Sequence, residues 1–85
     1  MTAGIESTKL DVRGLTGDEA TLKIERFLDT MRLNRIHAVM ILHGKGTGSL
    51  RKRTADCLQQ HPAVKGFRLG EWGEGGDGVT FVELE

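Results

Sequence analysis

Three stretches of this chain gather residue types that handle phosphate. The longest is His43-Gly44-Lys45-Gly46-Thr47-Gly48-Ser49-Leu50-Arg51. Alternate glycines let a backbone turn tightly and aim successive N–H groups in one direction. An apolar periodicity resumes at Leu50, so the loop feeds a helix N-terminus, where unpaired N–H groups and the helix dipole favour an anion. Lys45, Arg51 and Lys52 add full positive charge, while Gly44, Gly46, Thr47 and Gly48 supply the loop's backbone and hydroxyl donors. A glycine-rich connection without a ligand has the same composition. The spacing is not that of a Walker loop, which needs four residues before Gly-Lys and a Ser or Thr after it. Nor is it the dinucleotide fingerprint, because the third glycine comes one residue early. His43, at the end of an apolar run, can serve as a general acid or base, or it can bind the loop backbone. The residues alone leave both roles open.

The second stretch is Leu10-Asp11-Val12-Arg13-Gly14. With Leu10 and Val12 turned inward, Asp11 and Arg13 emerge together on the opposite side of a strand. The guanidinium can hold a phosphate while the carboxylate accepts a proton or anchors a metal; a plain surface ion pair has the same pattern. The third stretch, Gly70-Glu71-Trp72-Gly73-Glu74-Gly75-Gly76-Asp77-Gly78, is looser than a hairpin requires and is expected to be mobile. Trp72 can stack on a base there, or lie over apolar surface. No cofactor is assigned. Mg²⁺ or Mn²⁺ is the candidate metal, with Asp11 as its anchor and Glu74 as the one further carboxylate. His37, His43 and His61 lack zinc spacing, and Cys57 falls on an apolar helix stripe, which assigns it to the core.

The elements that must carry these residues read as strand, helix, strand, helix, strand, strand. Residues 9–13 alternate apolar and polar. Thr16 and Glu19 form a capping box, and Ala20, Ile24, Phe27, Leu28 and Met31 follow as one helical stripe. Ala38-Val39-Met40-Ile41-Leu42 is a short apolar run of the kind buried on both faces. Leu50, Thr54, Cys57, Leu58 and His61 give a second helix, stopped by Pro62. Residues 64–69 and 79–84 complete the set. Right-handed crossovers then place both helices on one face of a four-stranded mixed α/β sheet, with the last two strands antiparallel.

Eighty-five residues make one domain, expected over 9–85 behind a flexible arm at 1–8. With 38% hydrophobic and 28% charged residues, the chain has the balance of an ordinary globular protein. No apolar run approaches membrane-spanning length, so no membrane partner is expected. One cysteine excludes an internal disulfide and fits a cytoplasmic setting. Net charge is zero, which would count against a nucleic-acid ligand were the charge evenly spread. It is not. Residues 30–55 hold six basic side chains and no acidic one, and residues 69–85 hold five acidic and no basic.

In their order, Leu10-Asp11-Val12-Arg13-Gly14, His43-Gly44-Lys45-Gly46-Thr47-Gly48 with Leu50-Arg51, and Gly73-Glu74-Gly75-Gly76 leading to Gly78-Val79-Thr80 resemble the Smr (small MutS-related) domain. The resemblance runs from Lys9 to Leu84 and is closest to the form at the C-terminus of the bacterial MutS paralogue linked to suppression of recombination. It implies two helices on a four-stranded sheet. It also implies a nicking endonuclease acting on branched or distorted DNA, attached to a parent ATPase region; other members act on RNA or at ribosomes. By position, Asp11 and Arg13 would belong to the catalytic motif, and His43, Gly44, Lys45, Gly46 and Gly48 would form the substrate loop; His43 and Lys45 join Asp11 and Arg13 as the expected catalytic residues. RNA-cutting members tend to carry histidine where this chain has Arg13. Arginine does not shuttle protons at neutral pH, which counts against a histidine-based RNA cleavage; the arginine form is typical of the recombination-suppressing paralogue, so the resemblance implies DNA as substrate. The rival expectation is a docking module for branched DNA or ribosomal RNA that uses the same loop without catalysis.

Overall fold

The computed structural model describes residues 8–85. The arm expected at 1–8 therefore lies outside the described residues, apart from Thr8, whose carbonyl accepts the Met40 N–H.

The first strand, β1, covers Lys9–Asp11 and is followed by helix α1 over Gly17–Leu33. Thr16 caps that helix as its sequence dictates: Thr16 Oγ1 accepts the Glu19 N–H at 3.2 Å, and Glu19 Oε1 accepts the Thr16 N–H at 2.9 Å. Ala20, Ile24, Leu28 and Met31 are buried beneath it. The helix ends in a Schellman motif that the sequence does not announce. Arg35 takes a φ of 59° in the left-handed region, where glycine is usual, with Arg35 N–H on Arg32 O and Ile36 N–H on Met31 O.

Strand β2 spans Ala38–Leu42, α2 spans Ser49–Gln60, β3 spans Val64–Leu69 and β4 spans Val79–Leu84. His61 adopts extended backbone after α2, as the residue before a proline must. The sheet order is β1-β2-β4-β3; β1 runs parallel to β2, and β4 runs antiparallel to both of its neighbours. The expected architecture is thus realised, with the last strand in a central place.

Both helices lie on one face, where Val12, Ile24, Leu28, Ile41, Leu58 and Val82 form the core. The expectation that β2 is buried on both faces is wrong. Val39 and Ile41 point into the core, whereas Ala38 is exposed and Met40 and Leu42 are half-buried on the uncovered side. Parallel sheets need helices on both faces, but only one pair here is parallel, and an antiparallel sheet can leave a face open.

Candidate nucleic-acid interface

Asp11 closes β1, and three residues later the chain turns away at Gly14. Val12 is fully buried and Leu10 packs on the core, so Asp11 and Arg13 project outward together, as the alternation requires. They meet in a two-pronged pair. Arg13 Nη2 donates to Asp11 Oδ2 at 2.8 Å, and Arg13 Nε donates to Oδ1 at 3.0 Å. The Arg13 backbone N–H adds a third donor to Oδ1 at 3.0 Å. These hydrogen bonds hold the Asp11 carboxyl at about 2, below its ordinary 3.8, and the carboxylate in turn raises the guanidinium. Asp11 is therefore fully ionised at neutral pH, with both oxygens engaged.

The glycine loop begins where β2 ends. His43 points inward and is only 4% exposed. Its Nδ1 lies 3.0 Å from the Gly44 carbonyl, which can only accept, so Nδ1 carries the proton. Its Nε2 then accepts from the Thr80 hydroxyl at 2.8 Å. The His43 and Gly44 backbone N–H groups both donate to Gly78 O, at 3.0 and 2.9 Å. Gly48 caps α2 in the left-handed region with φ 84°, and the side-chain bond to its first turn comes from Thr47, whose Oγ1 accepts the Ser49 N–H at 3.4 Å. The conformation is what calls for glycine, and the Arg51 guanidinium lies close over it, since a Cβ there would stand 2.9 Å from Arg51 Nη2. No acidic residue occupies the first turn of α2, so the positive end of the helix dipole meets no carboxylate of its own there and favours an anion.

A cleft of about 330 Å³ lies at this helix start, walled by Arg13 and Gly14 on one side and by residues 43–51 on the other. Two of the three sequence stretches thus share one concavity. The third borders it through Asp77, whose Oδ2 accepts from Arg51 Nη1 at 2.9 Å, and through Gly78, where any Cβ would stand 3.3 Å from Lys45 Cγ. Contrary to expectation, this stretch is a compact turn. Glu71 O accepts from the N–H groups of Glu74 and Gly76, and Gly76–Gly78 forms a 3₁₀ turn. Glu74 fastens it: its carboxylate takes two hydrogen bonds from Arg68, at 2.8 and 3.0 Å, and one from the Glu71 N–H at 2.8 Å. Chiefly through Arg68, these hold the Glu74 carboxyl at about 2.

Trp72 is wholly exposed at the tip of the turn and does not line the cleft. Lys52 faces away, 3.6 Å from Asp56. The basic run is also less free than its composition implies, because Arg51 pairs with Asp77 and Arg53 with Asp18. Lys45 is exposed and makes no ion pair among the described residues.

The carboxylates fit a divalent cation poorly. Asp11, Asp77 and Glu74 each already serve an arginine, and no group of three or more His, Cys, Asp or Glu side chains converges among the described residues. A second depression, of about 340 Å³, lies between α1 and α2 and shares no residue with the cleft. Its Cys57 thiol is pushed up by burial and by nearby Glu25, which makes it a poor nucleophile.

Sequence reasoning missed Asp77 and Thr80 as site residues. Thr80 carried a signal, since it pairs with the inward-facing Ile41, and a polar group at a buried strand position requires a partner.

Comparison with known proteins places this geometry in a family. Curated relatives named endonuclease MutS2 include one from Clostridium beijerinckii, 51% identical over 83 residues, which cover 98% of this chain. Another, from Pelotomaculum thermopropionicum, is 55% identical over 78 residues. In each case the match covers 10% of the relative, so the chain spans about a tenth of their length. Among solved structures, the Smr domain of Thermus thermophilus MutS2 superposes with a TM-score of 0.88 at 40% identity, covering 91% of this chain and 96% of that one. YdaL, a stand-alone small MutS-related protein from Escherichia coli, shares the fold at 21% identity and TM-score 0.87, over 94% of this chain and 66% of its own. The Smr domain model matches residues 10–85, nearly the whole described chain, and the chain belongs to the Smr domain family.

Proposed function

We propose that this domain holds the phosphodiester backbone of DNA in the cleft at the start of α2 and nicks it. The carrying observation is the convergence of Arg13, the glycine loop with Lys45, and Arg51 around one concavity. The name endonuclease borne by the relatives supports a hydrolytic reading, and their length supports attachment to a larger parent with an ATPase region.

In this reading the loop and α2 N–H groups, with Lys45 and Arg51, take the phosphate oxygens. Arg13 neutralises the charge that builds on phosphorus as a water oxygen attacks and the P–O bond to the leaving strand breaks. Asp11 aims Arg13. A carboxyl held at about 2 is a weak proton acceptor near neutral pH, so the general-base role offered for Asp11 gives way to a positioning one. His43 likewise acts as a pin beneath the loop rather than as a catalytic acid, since both ring nitrogens are engaged within the fold. The arginine form at position 13, typical of the resembled paralogue, favours DNA over RNA, and a lining of cations and loop backbone favours phosphate over base recognition, as suits branched or distorted duplexes. Trp72 lies outside the cleft and would meet a flanking base. Recombination suppression in the cytoplasm is the setting proposed for the parent protein.

The test is nicking of supercoiled plasmid with Mg²⁺, with Mn²⁺ and with EDTA. Wild type should open the circle, and Arg13→Ala should lower the rate by roughly 100-fold, as loss of a transition-state donor does. Asp11→Asn should lower it less, since the amide oxygen still accepts from Arg13. If wild type and Asp11→Asn are equally inert yet bind a four-way junction alike, the domain is a docking module and the nuclease reading is lost.

A further inference from the structure

The glycine-rich turn before β4 is singled out by sequence, yet the proposed chemistry gives it no task. Its residues touch the cleft from behind. Asp77 Oδ2 accepts from Arg51 Nη1 at 2.9 Å across 26 positions of sequence. Arg51 lies on the first turn of α2, and its Nη2 end rests against Gly48, where even one methyl carbon would stand 2.9 Å away. The guanidinium is thus held at two ends, by a carboxylate and by a bare backbone surface. On the neighbouring side, Lys45 runs over Gly78 and Gly76. A Cβ at Gly78 would lie 3.3 Å from Lys45 Cγ, and one at Gly76 would lie 3.5 Å from Lys45 Nζ. Gly78 O also receives the His43 and Gly44 N–H groups, so two backbone hydrogen bonds join the turn to the loop.

We infer that the Gly75–Gly78 turn is a positioning element for the phosphate grip, in which Asp77 aims Arg51 and the bare surfaces of Gly76 and Gly78 seat Lys45. The inference rests on the proposed phosphate-binding reading of the cleft and assigns to this segment the orientation of two of its three cations, Arg51 and Lys45. One hydrogen bond to Asp77 leaves most of the five guanidinium donors of Arg51 for a ligand. An unheld arginine must give up rotamer freedom each time it binds. A held one has already done so.

The alternative is that Asp77 competes with the phosphate for Arg51, and the two ideas predict opposite signs. The probe is a fluorescein-labelled four-way DNA junction, titrated with wild type, Lys45→Ala, Arg51→Ala, Asp77→Ala, Asp77→Asn and the double variant Arg51→Ala/Asp77→Ala, each at several KCl concentrations. If Asp77 positions Arg51, Asp77→Ala weakens binding roughly three- to tenfold while Tm barely moves, because an exposed ion pair adds little to stability. Asp77→Asn, which still accepts a hydrogen bond, recovers part of that loss. In the Arg51→Ala background, Asp77→Ala should have no further effect, a non-additivity that a general loosening of the fold would not produce. Tighter binding by Asp77→Ala would make Asp77 a competitor and overturn the inference, as would an effect that persists without Arg51. If Arg51→Ala and Lys45→Ala leave junction binding unchanged, the phosphate-cleft reading itself fails. If Arg51→Ala weakens binding but Asp77→Ala does not, only the positioning role fails.

Discussion

Asp11 and Glu74 share a habit: each carboxylate is saturated by an arginine and a backbone N–H, and each titrates near pH 2 in the fold. The ordinary values are 3.8 and 4.5, so folding favours the ionised form. The stabilisation is full above about pH 4.5 and drains away as the pH falls through the folded values near 2. Glu74→Gln should therefore have a lower Tm than wild type at pH 7, with the gap closing toward pH 2; a gap constant with pH would mean that the pairing with Arg68 is not the cause. Residue types proved a fair guide to which side chains meet, but not to their protonation or freedom. Asp11 next to Arg13 reads equally well as base, metal anchor or ion pair, and only the three donors on its two oxygens distinguish these. His43 could not be assigned by sequence either, because its role depends on Thr80, 37 positions away.

At the scale of elements, the legible parts were those written locally. The Thr16/Glu19 capping box and the inward stripe of α1 follow from neighbours three and four residues apart, and both appear as expected. The α1 terminus did not, because Arg35 takes a glycine's conformation without being glycine. A non-glycine residue in that region costs of order 1 kcal/mol. Arg35→Gly should consequently stabilise the domain by about 0.5–1 kcal/mol, readable as a shift in the urea midpoint at unchanged m-value; no gain would mean that Arg35 makes compensating contacts. The turn over 70–78 failed in the other direction. Five glycines signal looseness, but here they admit close approach, and the rigidity comes from Glu74, whose partner Arg68 lies in the preceding strand.

At the scale of the molecule, the proposed function asks a neutral chain to engage a polyanion through a local cationic cleft while much of the surrounding charge is internally paired. Binding should accordingly be weak, roughly 10⁻⁴–10⁻⁶ M, and steep in salt. A plot of log affinity for duplex DNA against log KCl should fall with a slope of about −2 to −3, the value for two or three neutralised phosphates. A flat plot would point to a protein partner instead.

The sheet order has a kinetic side as well. β4 is the last strand made, yet it lies between β2 and β3 and carries the Thr80 that pins His43. Until it leaves the ribosome, β3 has no neighbour in the sheet and the loop has no floor. The nascent domain cannot fold piecewise, and the phosphate grip should appear in a single late step, after the final strand has been synthesised.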